Sequence, residues 1–296
     1  MQARTLKMTL PVLLLAGCAY AAGAGGPWTL GLDFSGFVEA AAPERLSVGP
    51  GGEVFILDRT NAVLSRVSPE TGKALWQIDG SESGRPFVDP AFLSRGDGFF
   101  VYLTDRGSRR IWRIDYRGEL RGSIDLPFAE DPVLLELVAG SQLAVYDRST
   151  ARVHLLDDSG RPLWSFAAGG GRRAAEPVDI AVSADEARLY LLWPGGKSLT
   201  EVDIFGRTAR EIGLEFENFT PARVTAAAAG GSEWLCLTDR RSRLLMLETA
   251  TRAWSELQTG LSPVWDICAP ASRPGTVYLL AGSPAVLKAI DLEQGK

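Results

Sequence analysis

Apolar residues along this chain fall in short runs broken by Gly, Pro, Asp or Ser, and no stretch sustains the 3.6-residue period of an amphipathic helix. Only DPVLLELVAG, beginning at Asp131, invites a helix, and its place in a repeat makes it a strand instead. Six phrases align: VFILDRTNAVLSRVSPETG, VYLTDRGSRRIWRIDYRG, LAVYDRSTARVHLLDDSG, LYLLWPGGKSLTEVDIFG, LCLTDRRSRLLMLETAT and VYLLAGSPAVLKAIDLEQG. Each reads as a strand, a turn, a second strand and a polar turn usually closed by glycine. Their anchors, Asp58, Asp105, Asp147, Trp193, Asp239 and Ala281, are spaced 47, 42, 46, 46 and 42 residues apart.

Apolar runs such as PVDIAVS and VWDICAP precede the phrases, and runs such as KALWQID and PLWSFAA follow them. Four strands in a unit of this period predict an all-β fold, a six-bladed β-propeller with four antiparallel strands per blade. No unit can bury both of its faces alone, so stacking around a ring must supply the core. The sixth unit ends after its third strand, whereas WTLGLDF at Trp28 precedes the first unit and matches REIGLEF of unit four. The N-terminal strand is therefore expected to complete the last blade and remove an open edge. Trp28, Trp76, Trp164 and Trp254 share the fourth-strand slot, where packing between blades is their expected role.

The first residues differ from the rest. Arg4 and Lys7 precede the nine-residue run MTLPVLLLA, which is too short to span a bilayer and reads as a secretory leader. Leu15-Ala16-Gly17-Cys18 resembles the lipobox of bacterial lipoprotein signal peptides. That resemblance implies a signal peptide over 1–17, cleavage before Cys18, and lipid on the Cys18 sulfur and the new amino end. Several acyl chains bind membranes firmly where one would be marginal. Residue 19 is alanine rather than aspartate, which by analogy with enterobacterial sorting favours the outer membrane, facing the periplasm or the cell surface. Residues 18–27 form a Gly/Ala tether with a reach of roughly 15–18 Å, and 28–296 form the propeller. Removing the leader leaves 29 Lys and Arg against 36 Asp and Glu, net −7. An acidic chain without a long basic run is a poor partner for nucleic acid. Cys236 and Cys268 lie in apolar runs and read as buried free thiols.

The Asp-Arg phrase in its strand-turn-strand setting resembles NHL repeats and the broader TolB-like six-bladed propellers, and SPETGKALW resembles the quinoprotein-type repeat. The resemblance spans 28–296 and implies the fold far more than any one function.

Chemistry is expected where the innermost strands meet the loops. An alignment on the anchors puts Glu44, Asp89, Glu136, Asp179, Arg223 and Asp266 in one slot at a mouth of the channel. Desolvated acids need partners, and the Asp-Arg turns offer Arg59, Arg106, Arg148 and Arg240. Their aspartates, Asp58, Asp105, Asp147 and Asp239, are expected to shape the turns. Blades 4 and 6 lack the pair, and Arg223 sits between them. Five acids thus meet five arginines, a pattern that favours a structural charge network. Six-bladed hydrolases of the gluconolactonase type hold Ca²⁺ in this region, so Glu44, Asp179 and Asp266 are the candidate metal ligands. The chain has only two asparagines, Asn61 and Asn218, neither in that slot, and its one histidine, His154, falls in a third strand. No catalytic residue is therefore assigned and no cofactor is expected. Gly169–Arg173 reads as an inter-blade loop, and Phe216 and Phe219 place two aromatics beside the mouth. The expected role is a membrane-tethered module that binds or scaffolds a protein partner through the acid/arginine face. Outer-membrane assembly machinery, which includes eight-bladed propeller lipoproteins, is the analogy. The alternative is a Ca-dependent lactonase or esterase.

Overall fold

A computed structural model describes residues 29–31, 42–69, 71–79, 86–94, 97–168, 176–195, 198–207, 209–214, 216–271 and 273–292. The leader, Cys18, Trp28 and the loop at 169–173 lie outside the described residues. Six four-stranded antiparallel sheets follow one another along the chain, as the repeat predicts. Blade 1 is Arg45–Val48, Val54–Asp58, Val63–Val67 and Ala74–Asp79. The innermost strands of blades 2 to 6 are Pro90–Leu93, Pro132–Val138, Asp179–Val182, Arg223–Ala229 and Val264–Cys268.

The ring closes as the N-terminal segment predicts. Thr29–Gly31 pairs with Val286–Asp291 and becomes the fourth strand of blade 6. First and second strands are buried along almost their whole length, whereas Ala74–Asp79 on the rim alternates between half-buried and exposed. A strand covered on both faces by neighbouring blades reads as a continuous apolar run, and one on the rim keeps a polar side. Pro132–Val138 is a strand followed by a short 3-10 turn at Ala139–Ser141.

The core lies between blades. Val54 and Ile56 of blade 1 pack with Tyr278 and Leu280 of blade 6, so the seam that joins the chain ends is as apolar as the others. In blades 2, 3 and 4 the glycine that closes the polar turn serves the same packing. Gly118, Gly160 and Gly206 all have positive φ, and a Cβ there would meet Trp76, Ile124 and Phe166 of the preceding blade within 2.8, 2.0 and 2.5 Å.

Trp76 and Trp254 occupy inter-blade contacts, the first donating from Nε1 to the Tyr116 carbonyl at 3.1 Å and the second stacking edge-on against Phe216 at 4.4 Å. Trp164 departs from expectation: it is 47% exposed, because it lies on the solvent side of a rim strand. Cys236 and Cys268 are buried free thiols.

Candidate binding site at the channel mouth

The four Asp-Arg turns do what aspartate at a strand end does well. Asp58 accepts from the backbone N–H groups of Asn61 and Ala42. Asp105 accepts from those of Val88, Asp89 and Gly107. Asp147 accepts from Asp131 N–H and from the hydroxyls of Ser149 and Thr150. Asp239 accepts from the N–H groups of Arg241, Ser242 and Arg243. In blades 1 to 3 each aspartate thus ties the turn to the loop entering its own blade. The fifth turn position in those blades, Ala62, Arg109 and Ala151, is left-handed without being glycine. At Asp147 burial alone would raise the carboxyl pKa, yet the bonds from Thr150, Asp131 and Ser149 outweigh it and hold the pKa below the usual range.

The arginines of these turns lean toward the next blade. Arg59 donates to the Pro90 carbonyl at 3.1 Å and lies 3.5 Å from Glu44. Arg106 pairs with Asp131 at 2.7 Å and with Asp89 at 3.4 Å, and Arg148 pairs with Asp131 and, at 3.7 Å, with Glu176. Asp131 and Glu176 were not among the expected acids. Both immediately precede apolar segments, and a search of the loops entering each blade would have found them.

The six-residue inner slot does not form as one ring. In strand register the residue opposite the one before each anchor is Arg45, Phe92, Leu134, Asp179, Arg223 and Asp266. Asp179, Arg223 and Asp266 of the expected slot stand at this register position, and in blades 1, 2 and 3 Arg45, Phe92 and Leu134 stand there. Glu44 and Asp89 stay in the loops, and Glu136 lies deeper on its strand, where the Ser94 hydroxyl is 3.5 Å away. Register breaks between Pro90 and Phe92 and between Pro132 and Leu134 accompany the shift in blades 2 and 3. Blade 1 pairs without a break, Glu44 lying one residue before its strand, and blade 6 keeps Asp266 in place despite a break between Val264 and Asp266.

Around the channel, blades 4, 5, 6 and 1 therefore alternate Asp179, Arg223, Asp266 and Arg45, all four buried. Arg45 Nη1 donates to Asp179 Oδ1 at 2.7 Å and lies 3.8 Å from Asp266 Oδ1. Arg223 Nε lies 3.2 Å from Asp266 Oδ1, and Arg223 Nη1 donates to the Ala222 carbonyl. The other carboxylate oxygens take N–H groups from the next blade: Asp179 Oδ2 accepts from Val224 at 2.9 Å and Asp266 Oδ2 from Leu46 at 2.7 Å. The Arg45 guanidinium stacks over Phe92 at 4.1 Å, which completes the plug on the apolar side. Burial and the nearby Arg45 lower the Arg223 pKa to about 10. Burial pushes the Asp266 carboxyl up to about 6 despite Arg45 and Arg223.

This neutral quartet separates two spaces. Below it, a chamber of about 40 Å³ is lined by Glu136, Thr225 and Cys268. Above it opens a funnel of about 930 Å³, lined by seven arginines, Arg45, Arg59, Arg106, Arg148, Arg223, Arg240 and Arg241, with Glu176 and Asp239 as its acids. Ala91, Val133, Leu134, Pro177, Val178, Pro194 and Pro221 form its apolar wall. Phe219 is buried and Phe216 half-buried, so the loop carrying them packs inward and presents Asn218 and Thr220 to the funnel.

Among the described residues, no three His, Cys, Asp or Glu side chains converge to hold a metal. Asp179 and Asp266 face each other across Arg45 Nη1, at 2.7 and 3.8 Å, and Glu44 lies in a loop with Arg59. His154 packs on Phe128 at 4.9 Å, in the third strand of blade 3 and away from the channel.

No curated protein sequence matches the chain. Among solved structures, virginiamycin B lyase from Staphylococcus aureus superposes with a TM-score of 0.60 at 18% identity, covering 83% of this chain and 79% of that one. A structure titled streptogramin B lyase gives 0.59 at 13% identity over 89% and 97%. Kuenenia stuttgartiensis hydrazine synthase gives 0.60 at 12% identity over 87% and 97%. At these identities the likeness is one of fold. In sequence, residues 59–204, from the first Asp-Arg turn into blade 4, match the family described as outer membrane protein assembly factor BamB.

Proposed function

We propose that the chain is a binding module of the bacterial cell envelope, anchored through lipid on Cys18 and engaging a protein partner at the funnel mouth. One observation carries the reading: arginines face an open funnel whose floor is closed by a charge-neutral, buried quartet. In such a floor each carboxylate is already answered by an arginine, which favours recognition as the work of this face. The match of residues 59–204 to the BamB family supports an envelope setting and a role in protein assembly. A Ca-dependent hydrolase built on Asp179 and Asp266 would first have to displace Arg45 from both, at the cost of a buried unpaired charge.

The test is site-directed photo-crosslinking in membranes with the full, lipidated chain. A crosslinker at Thr220 or Arg241 on the mouth is expected to capture a defined partner, and one at Arg161 on the opposite face is not. Equal capture from both faces, or none, overturns the reading. Retention of the Cys18→Ser chain at the membrane would overturn the anchor.

A further inference from the structure

The repeat answers its mouth arginines with acids in three blades and leaves them unanswered in one. Arg59 meets Glu44 of its own blade, Arg106 meets Asp89 and Asp131, and Arg148 meets Asp131 and Glu176. The backbone bonds place Ala222 of blade 5 where blade 1 has Glu44, since both donate to the residue before the anchor. They also place Pro263 of blade 6 where blades 2 and 3 have Asp89 and Asp131, since each accepts from the residue after the anchor. Arg240 therefore has no acid at either of the positions that answer the arginines of blades 1 to 3. Among the described residues neither the Arg240 nor the Arg241 guanidinium has an ion-pair partner, and both line the funnel. Beneath them the buried Arg223 Nε has no hydrogen-bond partner, although Asp266 lies close.

The funnel lining is also strongly basic: seven arginines face it with two acids, Glu176 and Asp239, whereas Glu44, Asp89, Asp131, Asp179 and Asp266 do not line it. Two features separate the candidate anions. The donors are divided between an arc of blades 1 to 3 and blade 5 across the mouth. Between them stands an apolar wall with three prolines, Pro177, Pro194 and Pro221, which a bare inorganic anion would not use.

We propose that the funnel is a docking site for an acidic peptide segment of the partner. One carboxylate would be held by Arg240 and Arg241, a second by the arginines of blades 1 to 3, and an apolar side chain would lie between them. Bidentate guanidinium–carboxylate pairing supplies the specificity, and the funnel volume is within the roughly 300–1,000 Å³ typical of ligand sites. The proposal rests on the reading of the mouth as the binding face.

Fluorescence anisotropy on the purified folded chain tests it, with a short labelled peptide alternating Glu and Leu as the probe. The same peptide with Lys in place of Glu, and unlabelled citrate and phosphate as competitors, form the other arms. The Glu/Leu peptide is expected to bind and the Lys/Leu peptide not. Arg240→Glu/Arg241→Glu should weaken binding by roughly tenfold or more, Arg240→Gln/Arg241→Gln by less, and Arg161→Glu on the far face not at all. Both mouth arginines are exposed, so an unchanged melting temperature checks that the variants fold. Binding of the Lys peptide, indifference to Arg240 and Arg241, or displacement by phosphate at the peptide's own concentration would each overturn the proposal. Crosslinking at Thr220 without acidic-peptide binding would reject this chemistry while leaving the mouth as the partner's face.

Discussion

Arg45 and Asp179 are 134 residues apart in sequence, stand on opposite blades of the ring, and meet at 2.7 Å in the middle of the channel. The pair spans the diameter of the fold and is buried on both sides. Removing one partner of such a pair leaves an uncompensated charge, so Arg45→Ala should cost about 3–5 kcal/mol. Arg45→Met with Asp179→Leu removes both charges and should restore most of that stability. Urea denaturation of the single and double variants checks the prediction, and equal losses in both would contradict it.

Arg223→Ala leaves Asp266 with the Leu46 N–H and, as charged partner, only the more distant Arg45 at 3.8 Å. It too should lower stability by about 3–5 kcal/mol, and an unchanged melting temperature would show that the quartet does not hold the ring.

Asp266 has a folded-state pKa of about 6, raised by burial above the unfolded range near 4. Between those values the folded state keeps a proton that the unfolded chain has released. The contribution of this group is fully present below about pH 4 and is lost as pH rises through 6. Asp266→Asn should flatten the stability profile in that window, read as denaturant midpoints at successive pH values. A wild-type profile that keeps its slope in the variant would assign the slope to other groups.

Asp147 works with the opposite sign. Its pKa is depressed, so its contribution is present above the unfolded pKa and disappears as pH falls through the folded one. Asp147→Ala unties Asp131 N–H and two hydroxyls at the turn and should cost about 1–2 kcal/mol at neutral pH. The gap between wild type and variant should narrow in acid, which thermal melts at pH 7 and pH 3 will show.

Ring closure depends on three residues paired with Val286–Asp291. Proline at Leu30, which pairs with Ile290, disfavours the ladder there. Leu30→Pro should lower the melting temperature and raise exchange of the amides in Val286–Asp291. Unchanged protection of that strand would mean that the closing strand adds nothing.

The blades were legible because each carries its own local signal of apolar runs of strand length at a steady period, reinforced by a turn aspartate in four of them and a closing glycine in most. The closing strand was legible for the same reason, as a fourth strand missing at one end and present at the other. Trp164 was not, because a period-2 pattern tells one face of a rim strand from the other but not which of them a neighbour covers. The roles of Asp58, Asp105, Asp147 and Asp239 were likewise readable, since their bonds reach along the turn or to the loop of the same blade.

By itself, then, the sequence determined the six units, their strand order, the join of the chain ends and the turn chemistry, all of which rest on neighbours in the chain or on the repeat. Only the tertiary structure decided which side chains meet in the channel. Anchor spacing does not tell which inner-strand residue pairs opposite it: Phe92 and Leu134 stand where Asp89 and Glu136 were expected in two bulged strands, and Arg45 stands where Glu44 was expected in an unbulged one. The contacts of the quartet cross the ring, where distance along the chain carries no information. The unanswered Arg240 emerges only when the loops of blades 5 and 6 are laid beside those of blades 1 to 3.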